Sequence, residues 1–557
     1  NYGHYDFIIV GAGVSGSVLT NRLTESGEFQ VLVLEAGGRE NDFTDVPGFA
    51  TNLVSSDFNW GYKTIPQRNS CLGLKNKQCN YPRGKAVGGS SVINFLMYVR
   101  GNKEDFDKWG RYNPGWDYES VLPYFKKSEN SNLDLEEPEF HGHNGLLNVE
   151  DVRYHPDITN TFLEAAEERG RKILDYNGKN QKGYSTLQSM TKNGRRCSAN
   201  KAFVEPAINR KNLELLDHAL GIKILIKNKK AYGVEFIRGG KRYKATASKE
   251  VIISGGTINS AQILMLSGIG PKEDLERLGI PVVQDLPVGK TLRDHQIYPA
   301  LFFSTNISTN KEPRLEENIQ RYLKGFGPLT TAFISAVGFE SLRVESRNPN
   351  SEYAFFSTVV EQVAPFLLDL IGMTEQNWQA ISDPLAGKYI WGIIPVLLHP
   401  KSKGTITLKS KNPLDFPLVD SNMYSDKYSN DMDEMLAMIR DIFEISKTAA
   451  FQSIDSKYLS DPLPACTYCK HLSEDYWRCA LEQLTYPILH AVATCKMGPK
   501  CDETAVVDNK LKVYGISGLR VADASVIPFP LSSHPSASVY MIGEKAADLI
   551  RNDYGDL

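Results

Sequence analysis

The feature that most constrains this chain is a glycine pattern within its first 35 residues. A short apolar run, DFIIV at 6–10, leads directly into Gly11-Ala12-Gly13-Val14-Ser15-Gly16. Val18, Leu19 and Leu23 then recur at helical spacing, and VLVL at 31–34 reads as a second buried strand ending in Glu35. Together these predict one βαβ unit. Gly11 permits the tight turn, Gly13 lets backbone N–H groups approach a pyrophosphate, and Gly16 lets the helix pack closely on the strand. The helix N-terminus adds partial positive charge for the phosphate. Glu35 lies 19 residues past Gly16, where a carboxylate binds ribose hydroxyls and disfavours a 2′-phosphate. The pattern does not separate NAD from FAD.

A second glycine-rich loop follows at 83–94, RGKAVGGSSVIN, with two glycines beside two serines and an Asn. That composition suits backbone wrapped around a polar ligand. Further along, EVIIS at 250–254 followed by a helix from 260 to 266 continues the α/β style, and strand, loop and helix return over 518–550. Residues 300–420 instead mix short apolar runs with Pro and Gly, as an antiparallel sheet does, and 432–448 has a helical period. The run KNKK at 227–230 reads as a solvated hairpin tip. The fold class expected is α/β with an inserted α+β domain. The discontinuous nucleotide domain covers 1–155, 195–300 and 491–557, and the inserted domain covers 156–194 and 301–490.

The 63 Lys+Arg and 66 Asp+Glu of the 557 residues nearly cancel, so nothing recommends a nucleic-acid partner. No apolar run approaches the ~20 residues of a membrane helix. The greasiest stretches, 363–371 and 389–398, read as core or pocket wall. Among eight cysteines, Cys71 with Cys79, and Cys469 (or Cys466) with Cys479, are close enough to close small loops, while Cys466-x-x-Cys469 has no second pair at zinc-finger spacing. Asn306-Ile307-Ser308 is a glycosylation sequon. The chain opens on Asn1, as one does after a secretory leader is removed or after trimming. These features favour an oxidising, secreted setting.

Several motifs in order resemble the glucose–methanol–choline (GMC) oxidoreductases, which are FAD enzymes. RGKAVGGSSVIN at 83–94 and SGGTINSAQILMLSGIGP at 254–271 look like the family's two signatures, and VGKTLRDH at 288–295 is similar to a further family segment. TCKMGP at 494–499, GLRVADASVIP at 518–528 and SSHPSASVYMIGEKAADLI at 532–550 complete the likeness, and CNYPRGK at 79–85 and NGRRCS at 193–198 look most like the secreted arthropod branch. The resemblance implies a Rossmann-like FAD domain and a substrate domain with an antiparallel sheet backed by helices. It implies that Val14 and Ser15 touch the pyrophosphate or ribose, and that Glu35 and Ala36 hold the adenosine end. Val87, Ser91, Asn94, Phe95, Leu96 and Met97 line the isoalloxazine and its linker. Asp523 and Ala524 lie beside the diphosphate and ribityl chain, and Pro535 and Ser536 reach the flavin pyrimidine edge.

Oxidising an alcohol requires that the hydroxyl proton leave, that the carbon hydride face the flavin, and that the developing alkoxide be stabilised. Imidazole suits the first task, its ordinary pKa of about 6.5 lying near neutrality. By the family pattern His490, in ILHAVATC, is the proton acceptor and His534, in SSHPSAS, hydrogen-bonds the alcohol oxygen. His218, His295 and His399 read as structural. Ala493 stands where the family usually has Gly, and its methyl is expected to reshape the pocket floor. Leu489 and aromatic segments at 326–339, 353–356, 366 and 389–391 are candidates for the pocket. An apolar pocket suits an aryl, allylic or activated secondary alcohol, including a cyanohydrin such as mandelonitrile, better than a sugar. The expected partners are a small-molecule alcohol and O2, reduced to H2O2. A quinone-dependent dehydrogenase and a hydroxynitrile lyase on the same scaffold are the alternatives.

Overall fold

The computed structural model describes residues 2–308, 314–343 and 346–555. Asn1 and the stretches 309–313, 344–345 and 556–557, which fall within the sequence-based domain limits, lie outside the described residues. The opening βαβ unit forms as expected: strand β1 (Gly3–Val10), helix α1 (Val14–Leu23) and strand β2 (Val31–Leu34). Both strands are buried on both faces at their paired ends, which is why they read as continuous apolar runs rather than alternating ones. The sheet continues in parallel to Leu213–Leu216 beyond β2. On the other side, β1 pairs in parallel with the end of Lys241–Ile253, which pairs in parallel with Leu519–Val521. The long Lys241–Ile253 strand then runs out of the parallel layer into an antiparallel meander with Lys230–Arg238 and Ala219–Lys227. Asn228 and Lys229, both at positive φ, form the exposed turn of that hairpin, where the run of basic residues was placed from sequence. The helix Gly256–Leu266 and the C-terminal helix Pro535–Tyr554 extend past the ends expected for them, and the latter packs on α1.

The second sheet is antiparallel, in the order Lys457–Tyr458, Phe302–Ser304, Tyr389–Leu397, Ser351–Val359, Ala336–Glu340, Tyr184–Thr186. Its period-2 alternation separates two faces. Phe355 and Trp391 point to the helices, where Phe162 stacks on Phe355 at 4.6 Å and Phe451 on Trp391 at 4.1 Å. Ala354 and its register partner Ile394 point the other way, toward the first sheet. Gln296–Ile297 already belongs to the second sheet, whereas Ile406, Leu408 and Val419 pack into the core of the first. Short strands with few apolar residues carry no sign of which core they serve.

Candidate active site

A long cavity runs between the two sheets, and its nucleotide end is built from the glycine loops. A Cβ on Gly11 (φ 99°) would lie 2.5 Å from the carbonyl oxygen of Ser254, and one on Gly89 would lie 2.6 Å from the Cα of Gly13. The two loops therefore pack backbone against backbone, and only glycine allows it. Gly16 lies outside the cavity wall and performs its expected packing role: a Cβ there would sit 2.0 Å from the Gly11 carbonyl oxygen. Gly13 caps α1 with no side-chain bond to the helix N–H groups, so those donors remain for a ligand. Ser15 Oγ is buried, lines the cavity and has no partner. Glu35 accepts from Ala12 N at 2.9 Å and from Gly37 N at 2.8 Å. Burial pushes its carboxyl up to about 7 against the pull of those two donors. An uncapped helix start, a cradle without side chains, an orphaned hydroxyl and a carboxylate at the end of β2 fit a dinucleotide such as FAD.

Of the other residues expected here, Val14, Ala36, Asn94, Phe95, Leu96, Met97, Asp523, Ala524, Pro535 and Ser536 line the same cavity. Val87 and Ser91 do not. Val87 N donates to the Gly38 carbonyl, and Ser91 Oγ donates to the Gly88 carbonyl at 2.6 Å while accepting from Ala199 N. The loop turns at Gly88 and Gly89, so Gly89 and Ser90 face the cavity in their place. Asp523 is engaged with protein: it accepts from Gly256 N, Ser260 Oγ and Ser525 N at 2.6–2.9 Å, fixing the starts of two helices beside the cavity. Arg196 was missed from sequence. It is buried, and its Nη1 donates to Ser91 O, Asn94 O and Asn94 Oδ1 at 2.8–3.0 Å, clamping the second loop.

At the other end His490 and His534 meet edge to face, with ring centroids 4.4 Å apart, and both line the cavity. His534 caps the start of Pro535–Tyr554, and its Nε2 lies 2.8 Å from Glu352 Oε1. His490 is held by a cross-strand pairing. Ile488 N donates to His295 O, the backbones of Arg293 and Val492 bond each other, and His490 N donates to Asp294 Oδ1 at 2.7 Å. Arg83 Nη1 donates at 2.6 Å to the carbonyl of Leu489, a residue at φ 69° that also lines the cavity. Burial pushes the Asp294 carboxyl up to about 7.

His295 is no bystander, contrary to the reading from sequence: its Nδ1 lies 2.9 Å from His490 Nδ1. Burial drives the His295 pKa down to about 3, so it stays neutral. Burial, then the neighbouring His534 and His295, holds His490 well below its ordinary 6.5. Between two neutral rings one Nδ1 must donate and the other accept. When His490 is the donor, its Nε2 keeps a free lone pair. His295 closes the VGKTLRDH segment, and Glu352 is a charge inside an apolar strand; those were the available signals. His399 bonds Ser532 Oγ at 2.8 Å. Ala493 is buried outside the cavity wall at φ 70°, so a family Gly there answers a left-handed backbone, not the pocket floor.

The cavity beyond the histidines is walled by Phe95, Met97, Ile297, Phe333, Ile334, Ala354, Phe366, Leu370, Ile394 and Leu489. Besides the two histidines, polar side chains there include Tyr486, whose hydroxyl donates to the Asn80 carbonyl, and Arg83, which bonds the Leu489 carbonyl. The aromatic segment 389–391 faces the helices instead, for the alternation given above.

Sequence models of the N- and C-terminal parts of GMC oxidoreductases match residues 5–297 and 400–543. The chain is 37% identical over 557 residues to "Glucose dehydrogenase [FAD, quinone]" of Drosophila pseudoobscura pseudoobscura, covering 99% of this chain and 87% of that one. It is 34% identical to "Ecdysone oxidase" of Bombyx mori, covering 100% and 83%. Among solved structures it matches a formate oxidase at 26% identity with a TM-score of 0.84, covering 100% and 99%. It shares the fold of a fungal aryl-alcohol oxidase at 23% identity and a TM-score of 0.80, covering 99% of each. The chain belongs to the GMC oxidoreductase family, and it is an FAD-dependent oxidoreductase acting on CH–OH groups.

Proposed function

We propose that this protein is an oxidase of an apolar alcohol, aryl, allylic or activated secondary, that yields the carbonyl compound and H2O2. The observation carrying the proposal is the pair His490–His534 at the head of a pocket whose walls are mainly apolar side chains. A sugar carries more hydroxyls than such walls have polar groups to match, and unmatched buried polar groups are costly. An alcohol with one hydroxyl on a hydrocarbon body needs only the two imidazoles.

The glycine loops, the start of α1 and Ser15 would hold FAD, which would supply the hydride acceptor for the carbinol carbon. His490 Nε2 takes the hydroxyl proton, and its Nδ1–H stays bonded to His295, which keeps the accepting tautomer in place. His534, its ring oriented by the contact of Nε2 with Glu352, stands beside His490 where the alcohol oxygen would lie. The apolar walls exclude water, which strengthens both contacts. The roles of Ser15, Glu35, Ala36, Asn94 and Ser536 toward FAD are part of this proposal, as are the FAD-binding and substrate-binding halves built around the two sheets. Disulfides Cys71–Cys79 and Cys466–Cys479 support a secreted setting. Cys466 rather than Cys469 is thus the partner of Cys479, and it is no longer a free thiolate for zinc.

A second reading is favoured by the 37% identity to a quinone-dependent dehydrogenase: the same half-reaction with a quinone as acceptor. Anaerobic addition of 4-methoxybenzyl alcohol to the FAD-loaded protein should bleach its yellow colour. Admitting O2 should restore the colour with one H2O2 per aldehyde. Bleaching reversed only by a quinone supports the second reading, and no bleaching by any alcohol defeats both.

A further inference from the structure

One residue of the pocket sits in a backbone conformation that its side chain disfavours. Phe333 has φ 72°, and Ile334 N donates to the Ala332 carbonyl across it at 2.9 Å. That bond and that angle belong to the rare, strained hand of the γ-turn, and a bulky residue at positive φ is an outlier. The turn is clamped on both sides. Thr331 Oγ1 donates to the Tyr154 carbonyl at 2.6 Å, and Ser335 N donates to the Phe355 carbonyl at 3.0 Å. Strain of this kind persists where the surroundings impose it, and it gathers at binding sites.

The turn delivers a ring into an aromatic row. Phe333 is half-buried and lines the cavity, stacked on Phe356 at 4.2 Å and 28°, and on Phe366 at 5.5 Å and 29°. Phe366 in turn meets Phe95 edge to face at 6.3 Å, and Phe95 follows Asn94 in the loop clamped by Arg196. Phe95, Phe333 and Phe366 all line the cavity, so ring surface continues from the second glycine loop to the second sheet. Packing alone does not require this, because an apolar residue of any shape on a relaxed turn closes a core.

We propose that Phe333 is a specificity-determining residue, held by its γ-turn as a stacking wall that selects planar, aromatic alcohols over saturated ones of the same size. This rests on the alcohol-oxidising reading and narrows its substrate class. The test compares kcat/KM for benzyl alcohol and cyclohexylmethanol in wild type, Phe333→Leu and Phe333→Tyr. Calorimetry of anisole and methoxycyclohexane binding to the same FAD-loaded proteins runs alongside. A ring pair is worth about 0.5–1.5 kcal/mol, so the aromatic preference should fall roughly three- to ten-fold in Phe333→Leu in both measurements, and Phe333→Tyr should retain it. An unchanged preference in Phe333→Leu, with FAD bound and melting temperature kept, overturns the proposal. If Phe333→Leu does not fold, Phe333→Met replaces it with the same two outcomes. If wild type oxidises no alcohol yet loses its anisole preference on substitution, the functional reading fails and the stacking wall stands.

Discussion

A single imidazole is an ambiguous base, because either nitrogen can carry the proton. In this site a neighbour ties the two tautomers together: His295 Nδ1 faces His490 Nδ1 at 2.9 Å and is too deeply buried to become charged, so one of the two rings donates and the other accepts. His490 is itself held below 6.5, so it is neutral and accepting throughout the neutral range. If His490 is the base, lower pH removes it, so the rate falls on the acid side only. The acid limb of kcat/KM should therefore inflect below pH 6.5, and an inflection above 7 contradicts the account. His295→Leu leaves the His490 Nδ1–H unpaired, at a cost of about 1–3 kcal/mol. It should lower kcat roughly ten-fold or more with KM nearly unchanged and should displace the acid limb. A merely structural histidine would leave that limb where it was.

At the scale of elements, the cofactor end depends on loops with no more than a short 3-10 turn of their own, and Arg196 clamps the second of them. Arg196→Met removes the charged donor shared by Ser91 O, which is buried, and Asn94 O and Asn94 Oδ1, which are partly buried. The predicted result is FAD binding weakened at least about ten-fold, read by titrating FAD into the stripped protein, since one unpaired acceptor alone costs about 1–3 kcal/mol. The contrast between the two ends of the site shows what a sequence reveals. The βαβ unit was legible because its glycines, apolar runs and Glu35 are fixed by local geometry within 35 residues. Val87 and Ser91 lie outside the cavity wall because the turn at Gly88 and Gly89 decides which loop residues face inward, and spacing does not encode it. His295 and Glu352 went unread because their partners lie 195 and 182 residues away in the chain. The inward face of the second sheet is a matter of register: Ala354 lines the cavity while Phe355, one residue on, meets a helix.

At the scale of the molecule, a buried ionic network lies beside the first sheet's helices. His141 places Nδ1 3.1 Å from Glu129 and Nε2 2.8 Å from Asp175, and Arg100 pairs with Glu129. The two carboxylates outweigh burial and raise His141 to about 9, while the carboxylates themselves are held below their ordinary range. A histidine whose folded pKa exceeds its unfolded value of about 6.5 lends stability that is complete below pH 6.5 and lost as pH rises through about 9. Its share is about 3 kcal/mol. The carboxylates lend theirs above the ordinary carboxylate range and lose it as pH falls. The melting temperature should therefore decline between pH 6.5 and 9, and His141→Gln should flatten that decline while lowering stability at pH 6. All of this supports one chemical act at the cavity's head, and the most direct test of it is the anaerobic rate at which 4-methoxybenzyl alcohol bleaches FAD-loaded wild type and FAD-loaded His490→Ala. If His490 accepts the hydroxyl proton, the variant should retain its yellow cofactor and bleach roughly 10²–10⁴ times more slowly; equal rates in the two proteins would contradict the account.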